Sequence, residues 1–376
     1  MEHKLSVLVV NDRAVYRKLL SEAVDSTGIA MTKETAANGA IALERLKQDS
    51  FDIILLDVFT LGLGGLQTLA ELRGLFPDTS VIMLTGKDDE SAVNTLNALQ
   101  LGALDFVIKP DTASPGPGSD ALRKRLQSLF MECKLDRLSK RKPPGSLEQA
   151  AAAKSKQPQL TTVQQSEQKG KPLNSFKGPV GLIVIASSTG GPAALEQVLS
   201  SLPSSLSIPV LVVQHMPKGF TQIMAQTLNK KCLLPVAEAV DGQSLAGGGV
   251  FIAPGGENMS VQAGADRKVQ FKLDKAPSAH GVRPSADVLF KSVAQGFKAV
   301  GVLAIILTGM GCDGRDGVRA MKEECNCYCI LQSERTCVVY GMPHCVAEAG
   351  LADETVDLTH ISARIVQIVL DGGGLL

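Results

Sequence analysis

The feature that most constrains this chain is a regular alternation of short apolar runs with segments of helical spacing over its first 130 residues. Apolar side chains fill the runs, as in strands buried on both faces, and recur every three or four residues in the segments between them. The runs lie at residues 5–10, 53–57, 81–85 and 105–109, with a weaker strand expected at 31–35. Because each crossover helix covers one face of a sheet, this alternation predicts a doubly wound parallel sheet of flavodoxin-like type.

The composition of the chain changes near residue 140 and changes again near residue 180. The stretch between them is rich in Lys, Gln, Ser, Ala and Pro and has little to bury, which predicts a flexible linker. Strand-like and helical segments resume at Gly181, and alternating, Gly-rich residues at 243–275 predict a β-hairpin insertion. We therefore predict a first domain over residues 1–130, a linker over 131–178 and a second, Rossmann-like α/β domain over 179–376.

The charge balance and the hydropathy of the chain exclude several classes of protein. The chain has 38 basic and 38 acidic side chains, so neither nucleic acid nor an anionic membrane surface is expected as a partner. No apolar run reaches the length of a membrane span, and the first strand-like run follows the start too closely for a signal peptide. We expect a cytoplasmic protein without membrane insertion.

The chain contains 8 cysteines, and in a cytoplasmic protein these are expected to be thiols. Cys325, Cys327 and Cys329 would lie on one face of an extended segment, where they would fill a buried side of a strand. Their closeness to Cys337 and His344-Cys345 leaves a metal site as the alternative. The order lacks the Cys-x-x-Cys spacing of zinc sites, so packing is the favoured interpretation.

Polar side chains follow the strand-like runs of the first domain at four places. The residues are Asp12, Asp57, Thr85 and Lys109. The carboxyl ends of parallel strands meet at one edge of a doubly wound sheet, so we expect these side chains around one crevice. Carboxylates, a hydroxyl and an ammonium group there suit a magnesium-assisted transfer of a phosphoryl group to Asp57. Any one of them alone could be a helix cap or a surface charge.

The stretches that carry these residues resemble the receiver domains of response regulators across nearly all of residues 4–130. The matching stretches are Asn11-Asp12, Leu-Leu-Asp57, Leu-Thr85-Gly and Lys109-Pro110. The resemblance implies that Asp57 accepts phosphate from a histidine kinase, with Asp12 and Asp57 holding Mg²⁺. The chain departs from the family at Asn11, where the family has a second acidic residue, and at Thr60-Leu61, where the family has Met-Pro.

Three short stretches of the second domain carry groups that could act as a catalytic triad. Ser188 lies in a Gly-rich turn from a strand to a helix, where backbone N–H groups stabilise negative charge. His215 follows a second strand, and Asp313 lies in a loop after a third, so the three are expected at one sheet edge. Spacing alone leaves the alternatives open: the Gly-rich turn could bind phosphate or cap a helix, and His215 and Asp313 could be structural.

Residues 181–370 closely resemble the catalytic domain of the chemotaxis protein-glutamate methylesterases. The matching stretches include Ala-Ser187-Ser188-Thr-Gly-Gly-Pro, Val-Gln-His215-Met-Pro, Arg283-Pro-Ser-Ala-Asp287 and Leu-Thr-Gly-Met-Gly-Cys-Asp313-Gly. The resemblance implies that Ser188 is the nucleophile, His215 the base and Asp313 the orienting acid. It also implies that Thr189 and the backbone N–H of Met310 stabilise the oxyanion. The family commonly has His before Arg-Pro, whereas this chain has Val282 there and His280 two residues earlier.

The same resemblance implies a function. Its members hydrolyse glutamate methyl esters on the cytoplasmic helices of methyl-accepting chemotaxis proteins, and many also deamidate glutamines there. It implies that catalysis needs no cofactor and that Mg²⁺ is needed only for phosphorylation of the receiver. It also implies that the unphosphorylated receiver covers the esterase site.

Two other functions remain open at this stage. One is a receptor glutamine deamidase that uses the same triad, and the other is a non-catalytic phospho-receiver adaptor that binds chemoreceptors. Substitution of Ser188 by Ala would separate the adaptor from the enzymes. Cys312, beside Asp313, could serve as a thiol nucleophile, but a small packing residue is the favoured interpretation.

Overall fold

The computed structural model of the protein describes residues 4–110, 117–141, 178–264 and 268–372. Within them the chain forms two α/β domains, each built on a parallel sheet, with a separate two-stranded antiparallel sheet in the second domain. None of the described helices is both long and apolar enough to cross a membrane.

The first domain is a five-stranded parallel sheet in the order β2-β1-β3-β4-β5. Its strands are β1 (Leu5–Val10), β2 (Ala30–Ala36), β3 (Ile53–Asp57), β4 (Ser80–Thr85) and β5 (Asp105–Ile108). Its helices are α1 (Ala14–Ser26), α2 (Gly39–Gln48), α3 (Gly65–Leu75), α4 (Asp89–Gln100) and α5 (Pro117–Arg141). The central strand β3 is buried along its whole length because helices cover both faces. This confirms the predicted doubly wound sheet.

The last helix of this domain is longer than the sequence analysis predicted. A helix was expected over 120–135 and a linker from residue 131, but α5 continues to Arg141. Phe130 and Cys133 are buried against the core of the first domain, so the predicted linker overlaps a packed helix at its start. The extension of α5 could not be predicted from composition, because the polar residues of an amphipathic helix resemble those of a linker. Residues 142–177 of the predicted linker lie outside the described residues.

The second domain contains a seven-stranded parallel sheet in the order β14-β13-β12-β6-β7-β9-β8. The strands of this domain are β6 (Val180–Ser187), β7 (Val210–Gln214), β8 (Val236–Glu238), β9 (Val250–Ile252), β10 (Asn258–Ala263), β11 (Val269–Asp274), β12 (Gly301–Ile306), β13 (Asn326–Gln332) and β14 (Glu354–Val356). Its helices are α6 (Gly191–Ser200), α7 (Phe220–Asn229), α8 (Ala286–Gly296), α9 (Arg315–Glu324), α10 (Met342–Glu348) and α11 (Leu358–Asp371). The central strands β6, β7 and β12 are buried along almost their whole length, which fixes their ends in place.

The predicted β-hairpin insertion is confirmed. Strands β10 and β11 pair antiparallel, from Asn258 opposite Asp274 to Ala263 opposite Val269. The buried ring of Phe271 lies 5.1 Å from the ring of Phe251, which joins the hairpin to the main sheet. The hairpin therefore closes one side of the second domain.

The two domains are in direct contact through α4 and β5 of the first domain. Helix α4 lies against α6 and α7 of the second domain. At the centre of the contact the rings of Phe106 and Phe220 stack with their centroids 4.9 Å apart. At its margin Gln100 donates a hydrogen bond to Glu196. Buried apolar side chains from both domains form one connected cluster across this contact.

Candidate active site

Ser188 and His215 are neighbours because of the register of two central strands. Strands β6 and β7 pair in parallel up to Ser187 opposite Gln214, so the next residue of each strand is a predicted member of the triad. The backbone N–H of His215 donates to the carbonyl of Ser187 over 3.1 Å, which carries the pairing to the base itself. The sheet therefore places the two side chains at one edge, as predicted.

Asp313 reaches His215 from the loop between β12 and α9. Nε2 of His215 lies 2.8 Å from Oδ2 of Asp313, within hydrogen-bond distance. Since an ionised carboxylate only accepts, this contact assigns the ring proton to Nε2 and leaves Nδ1 as the basic nitrogen. A histidine in that tautomer can accept a proton from a neighbouring hydroxyl.

The Asp313 carboxylate is held by the start of helix α8. Oδ2 accepts the N–H of Ala286 over 2.6 Å, and Oδ1 accepts the Ser285 hydroxyl over 2.8 Å and the Asp287 N–H over 3.1 Å. Burial raises the pKa of Asp313, but the hydrogen bonds from His215 and from these groups outweigh it and place the pKa below its ordinary value. Asp313 is therefore a fixed carboxylate at neutral pH, as the orienting member of a triad must be.

A second buried carboxylate, Asp287, holds the other side of the Asp313 loop. Its Oδ1 accepts the N–H groups of Gly314 and Gly317 over 3.0 and 2.7 Å, at the start of α9. Asp313 thus binds the N-terminus of α8, while Asp287, in the first turn of α8, binds the N-terminus of α9. Asp287 lies in one of the matching stretches of the sequence, but no role was predicted for it. Nothing in the sequence pattern indicates that the N-termini of α8 and α9 lie next to each other.

The two adjacent serines have different environments. The Ser187 hydroxyl donates to Oε1 of Gln214 over 2.7 Å and is fully buried. The Ser188 hydroxyl makes no hydrogen bond to any of the described residues, including His215. Its backbone is fixed instead, because its carbonyl accepts from Nε2 of Gln214 over 2.9 Å and its N–H donates to Thr308. Ser188 is therefore the hydroxyl that is free to react, and its bond to His215 has still to form.

Two backbone donors beside Ser188 are free. Within the described residues, neither the N–H of Thr189 nor that of Met310 donates a hydrogen bond. Thr189 lies two residues before α6, next to the N-terminus of the helix, where the helix dipole adds positive potential. The loop of Met310 approaches closely because Gly309 has no side chain: a Cβ there would lie 2.8 Å from the Ser188 Cβ. Both predicted oxyanion residues thus have a spare donor at the nucleophile.

The first domain covers this site. The Thr189 hydroxyl donates to the Asp105 carboxylate at the start of β5, and that carboxylate also pairs with Arg125 of α5 over 2.7 Å. Met310 packs against apolar side chains of the first domain. A cavity of about 630 Å³ between the domains is lined by His215 on one side and by Lys109 on the other. In this arrangement Ser188 is only 5% exposed, which is too little for a protein substrate to reach it.

The predicted phosphorylation site is assembled around Asp57. Nζ of Lys109 lies 2.6 Å from Oδ2 of Asp57, and the Asn11 amide donates to the same oxygen. The N–H of Phe59 donates to Oδ1 over 3.0 Å. Burial raises the pKa of Asp57 despite Lys109, and the charge of Asp12 adds to the rise. Where the family has a second acidic residue, this chain has Asn11, whose side-chain amide donates directly to the Asp57 carboxylate.

One predicted support residue points elsewhere. The Thr85 hydroxyl is bound to the Thr95 hydroxyl over 2.7 Å and lies 3.3 Å from the Ser91 carbonyl, both in α4, so it does not reach Asp57. Asp12 lies close enough to Asp57 for their charges to repel, which a divalent cation between them would relieve. The two carboxylates fit a Mg²⁺ site, and Asp12 and Asp57 are the residues that would hold the ion.

The second domain has one further group of possible metal ligands among the described residues. His280, Asp287 and Asp316 each offer an atom within 4.8 Å of the others. Nε2 of His280 lies 3.2 Å from Oδ2 of Asp287. Arg315 and Arg319 both pair with Asp316, and their charges oppose a bound cation. We therefore assign no metal to this group: Asp287 supports the Asp313 loop, whereas Asp316 pairs with the two arginines.

Cys325, just before β13, and Cys327 and Cys329 of β13 are half-buried or buried free thiols. Burial raises the pKa of Cys325 to about 11 and that of Cys329 to about 12, and it raises the pKa of Cys327 as well. All three pack against a hydrophobic core, which favours the packing interpretation over the metal site.

The expectation that every cysteine is a thiol was wrong. Cys312, in the Asp313 loop, forms a disulfide with Cys345 of α10. Cys312 is thus neither the thiol nucleophile nor the simple packing residue considered above. No sequence signal indicated this pair, because the two residues are 33 positions apart and meet only through the fold.

Comparisons with known proteins identify the family of each domain. A family model for CheB methylesterase matches residues 183–365, and one for the response regulator receiver domain matches residues 7–114. A protein-glutamate methylesterase/protein-glutamine glutaminase of Desulfotalea psychrophila is 36% identical over 97% of this chain and 98% of its own length. One of Geobacillus kaustophilus is 37% identical over 97% of this chain and 99% of its own length.

A solved structure gives a further likeness. The catalytic domain of the CheB methylesterase of Thermotoga maritima is 39% identical, covers 50% of this chain and 99% of its own, and has a TM-score of 0.48. Identities of 36% and 37% over nearly the full length of both chains show that this chain belongs to the protein-glutamate methylesterase/protein-glutamine glutaminase family.

Proposed function

We propose that this protein is a phosphorylation-controlled serine hydrolase that removes methyl esters from glutamates of methyl-accepting chemotaxis proteins in the cytoplasm. The observation that carries the proposal is the 2.8 Å contact between His215 and Asp313 at the strand end next to Ser188. A carboxylate, an imidazole and a free hydroxyl in that order are the parts of an acyl-transfer site.

The tautomer of His215 sets the direction of proton movement. As the Ser188 oxygen attacks the side-chain carbonyl of the substrate, Nδ1 of His215 takes the hydroxyl proton, and Asp313 stabilises the imidazolium. The N–H groups of Thr189 and Met310 stabilise the oxyanion. His215 then returns the proton to the leaving methoxide, methanol departs, and water cleaves the acyl-enzyme by the same route.

The same steps would release ammonia from a glutamine side chain, since an ester and an amide present the same planar carbonyl. The reaction needs no metal or organic cofactor, because both proton transfers are made by His215 and the negative charge is stabilised by backbone donors. We therefore include glutamine deamidation in the proposed activity.

Control by phosphorylation follows from the contact between the domains. We infer that a histidine kinase transfers phosphate to Asp57, with Mg²⁺ held by Asp12 and Asp57. The phosphoryl group brings charge and acceptor oxygens to a crevice where Lys109 already pairs with Asp57. Lys109 also lines the cavity that separates the crevice from His215. Movement of β5 and α5 would withdraw Asp105 from Thr189 and open Ser188.

The experiment is methanol release from methylated receptor membranes, with and without a small-molecule phosphodonor. We expect the wild type to be slow without the donor and faster with it, and Asp57→Asn to be slow in both conditions. Ser188→Ala should release no methanol in either. Methanol release at the wild-type rate by Ser188→Ala would contradict the proposal, and an adaptor would retain its signalling phenotype in that variant.

A further inference from the structure

A covalent bond lies beside the orienting acid of the active site. Cys312 immediately precedes Asp313, and its disulfide partner Cys345 lies in helix α10. Their Cα atoms are 5.3 Å apart, within the range that a disulfide requires. Both residues are partly exposed, so the pair lies near the surface of the protein.

The two cysteines lie on segments that already meet at the active site. The N–H groups of Gly341 and Met342 donate to the carbonyl of Gly309 over 3.1 and 2.8 Å, at the start of α10. Gly309 in turn lies against Ser188. The disulfide adds a second connection between the same segments, at the end of the loop that carries Asp313. The disulfide therefore links α10 to the loop of Asp313, and the backbone hydrogen bonds link α10 to the loop of Gly309 and Met310.

We propose that Cys312 and Cys345 form a reversible oxidation site whose oxidant is a small disulfide of the glutathione type. One cysteine, as its thiolate, attacks the small disulfide, forms a mixed disulfide and releases one small thiol. The second cysteine then displaces the other small thiol and closes the Cys312–Cys345 bond. Two protein thiols lose two electrons and two protons, and one small disulfide becomes two thiols.

Several other cysteines are poor competitors for this exchange. The thiolate is the reactive form, and burial raises the pKa of Cys232 to about 11 and that of Cys337 to about 12. Neither forms a disulfide in the structure. Disulfides in reducing compartments are usually transient and redox-sensing, so in the expected cytoplasmic location this bond would report the thiol balance of the cell.

The consequence for activity rests on the proposed function. In the disulfide form, the loop before Asp313 is tied to α10 and the His215–Asp313 contact is intact. Reduction removes that tie and lets the loop sample positions in which the imidazole is less well oriented. We therefore expect the reduced enzyme to be the slower form.

The experiment uses the full-length protein equilibrated in buffers with different ratios of glutathione to its disulfide. Free thiols are alkylated, and peptide mass spectrometry identifies the paired cysteines. Unfolding is followed in the same samples. In the oxidising buffer we expect a Cys312–Cys345 crosslink and a Tm about 5–10 °C higher than in the reducing buffer. Cys345→Ser should show neither difference, whereas the matched control Cys232→Ser should behave as the wild type does.

Absence of the crosslink in the oxidising buffer, or an equal Tm in both buffers, would overturn the oxidation site. Methanol release measured on the same samples tests the link to Asp313, with a 2- to 5-fold loss expected on reduction of the wild type and none in Cys345→Ser. Crosslinking with an unchanged rate would overturn the link to Asp313 while the site stands. Failure of the proposed esterase function is seen separately, as unaltered methanol release by Ser188→Ala.

Discussion

At the scale of single residues, the proposed orienting acid, Asp313, is held by more hydrogen bonds than His215 or the Ser188 hydroxyl. Asp313 accepts three donors from residues 285–287 in addition to its contact with His215. Hydrogen bonds to both oxygens restrict the rotation of this carboxylate and keep it in position to orient the imidazole. The Ser188 hydroxyl, by contrast, has no hydrogen-bond partner among the described residues and can turn toward either the base or the substrate.

This arrangement predicts a large effect of Asp313→Asn. An amide at position 313 can donate to Nε2 of His215, which moves the ring proton to Nδ1 and leaves no base facing Ser188. We expect kcat for methanol release to fall by roughly 10³–10⁴-fold with little change in KM. Asp316→Asn, three residues further along, is the matched control and should stay within about 2-fold, because its ion pairs are at the surface. Comparable losses in both variants would contradict the assignment.

The second buried carboxylate predicts a distinct dependence of stability on pH. Burial raises the pKa of Asp287, and the nearby charge of Asp313 adds to the rise. A carboxyl with a raised pKa in the folded state stabilises the protein below its unfolded pKa, and this stabilisation is lost as pH rises through the folded pKa. Asn at position 287 keeps an oxygen for Gly314 and Gly317 but carries no charge.

Asp287→Asn should therefore raise Tm at pH 7 more than at pH 4. The measurement is a series of thermal unfolding curves across that pH range, with Asp274→Asn, on the half-exposed hairpin strand, as the control. A larger gain in Tm at pH 4 than at pH 7 would show that the sign is wrong. The pKa of Asp313 is lowered in the folded protein, so its pH dependence has the opposite sign. The stability that the ionised Asp313 contributes is lost as pH falls through its folded pKa.

At the scale of elements, the start of α6 depends on a glycine. A Cβ on Gly191 would lie 2.0 Å from Oε1 of Gln214 and 2.9 Å from the Cβ of Ser187. Gln214 is the residue that holds the Ser188 carbonyl, so its displacement would move the nucleophile. The Gly-rich turn is therefore required by close packing between two strand ends as well as by its free N–H groups.

Gly191→Ala should destabilise the protein by about 1–3 kcal/mol, the usual range for overpacking, and should lower kcat at least 10-fold. Gly296→Ala is the matched control, since a Cβ at the end of α8 meets nothing within 4 Å. That variant should be neutral or slightly more stable, because Ala has the higher helix propensity. Denaturant unfolding and methanol release on both variants check the prediction.

Elements of this kind were predictable to different degrees. The strand ends at Asp57, Ser188 and His215 could be predicted because apolar runs mark strands and parallel strands end at one edge. The reach of α5 to Arg141 could not, since its outer face is as polar as a linker. Nor could the contact of Thr85 with α4, because the rotamer of a short side chain depends on neighbours that no local pattern shows. The Cys312–Cys345 pair depends on tertiary structure in the same way.

At the scale of the whole molecule, the first domain blocks the site by a polar contact as well as by bulk. Asp105 accepts the Thr189 hydroxyl while Arg125 holds the same carboxylate. The stacked rings of Phe106 and Phe220 position β5 against the second domain. Asp105 and Phe106 both belong to β5, whose last residue is followed by Lys109, the partner of Asp57. One short strand thus connects the proposed phosphorylation site at Asp57 to Thr189, a proposed oxyanion donor.

This connection predicts that loss of the Asp105 carboxylate releases part of the block without phosphate. In Asp105→Ala, Thr189 loses its acceptor across the domain contact and the stacked rings remain, so the closed arrangement is weakened but not abolished. A hydrogen bond to a charged group contributes about 1.5–3 kcal/mol, and partial exposure of the open form to water recovers some of it. We expect methanol release without a phosphodonor to rise about 3- to 10-fold, and the rate with a phosphodonor to stay near that of the wild type. Glu44 is an exposed residue of α2 that pairs with Lys47, and Glu44→Ala should leave both rates unchanged. Equal basal rates in Asp105→Ala and the wild type would mean that the ring stack and the covering of Ser188 hold the site closed without help from this bond.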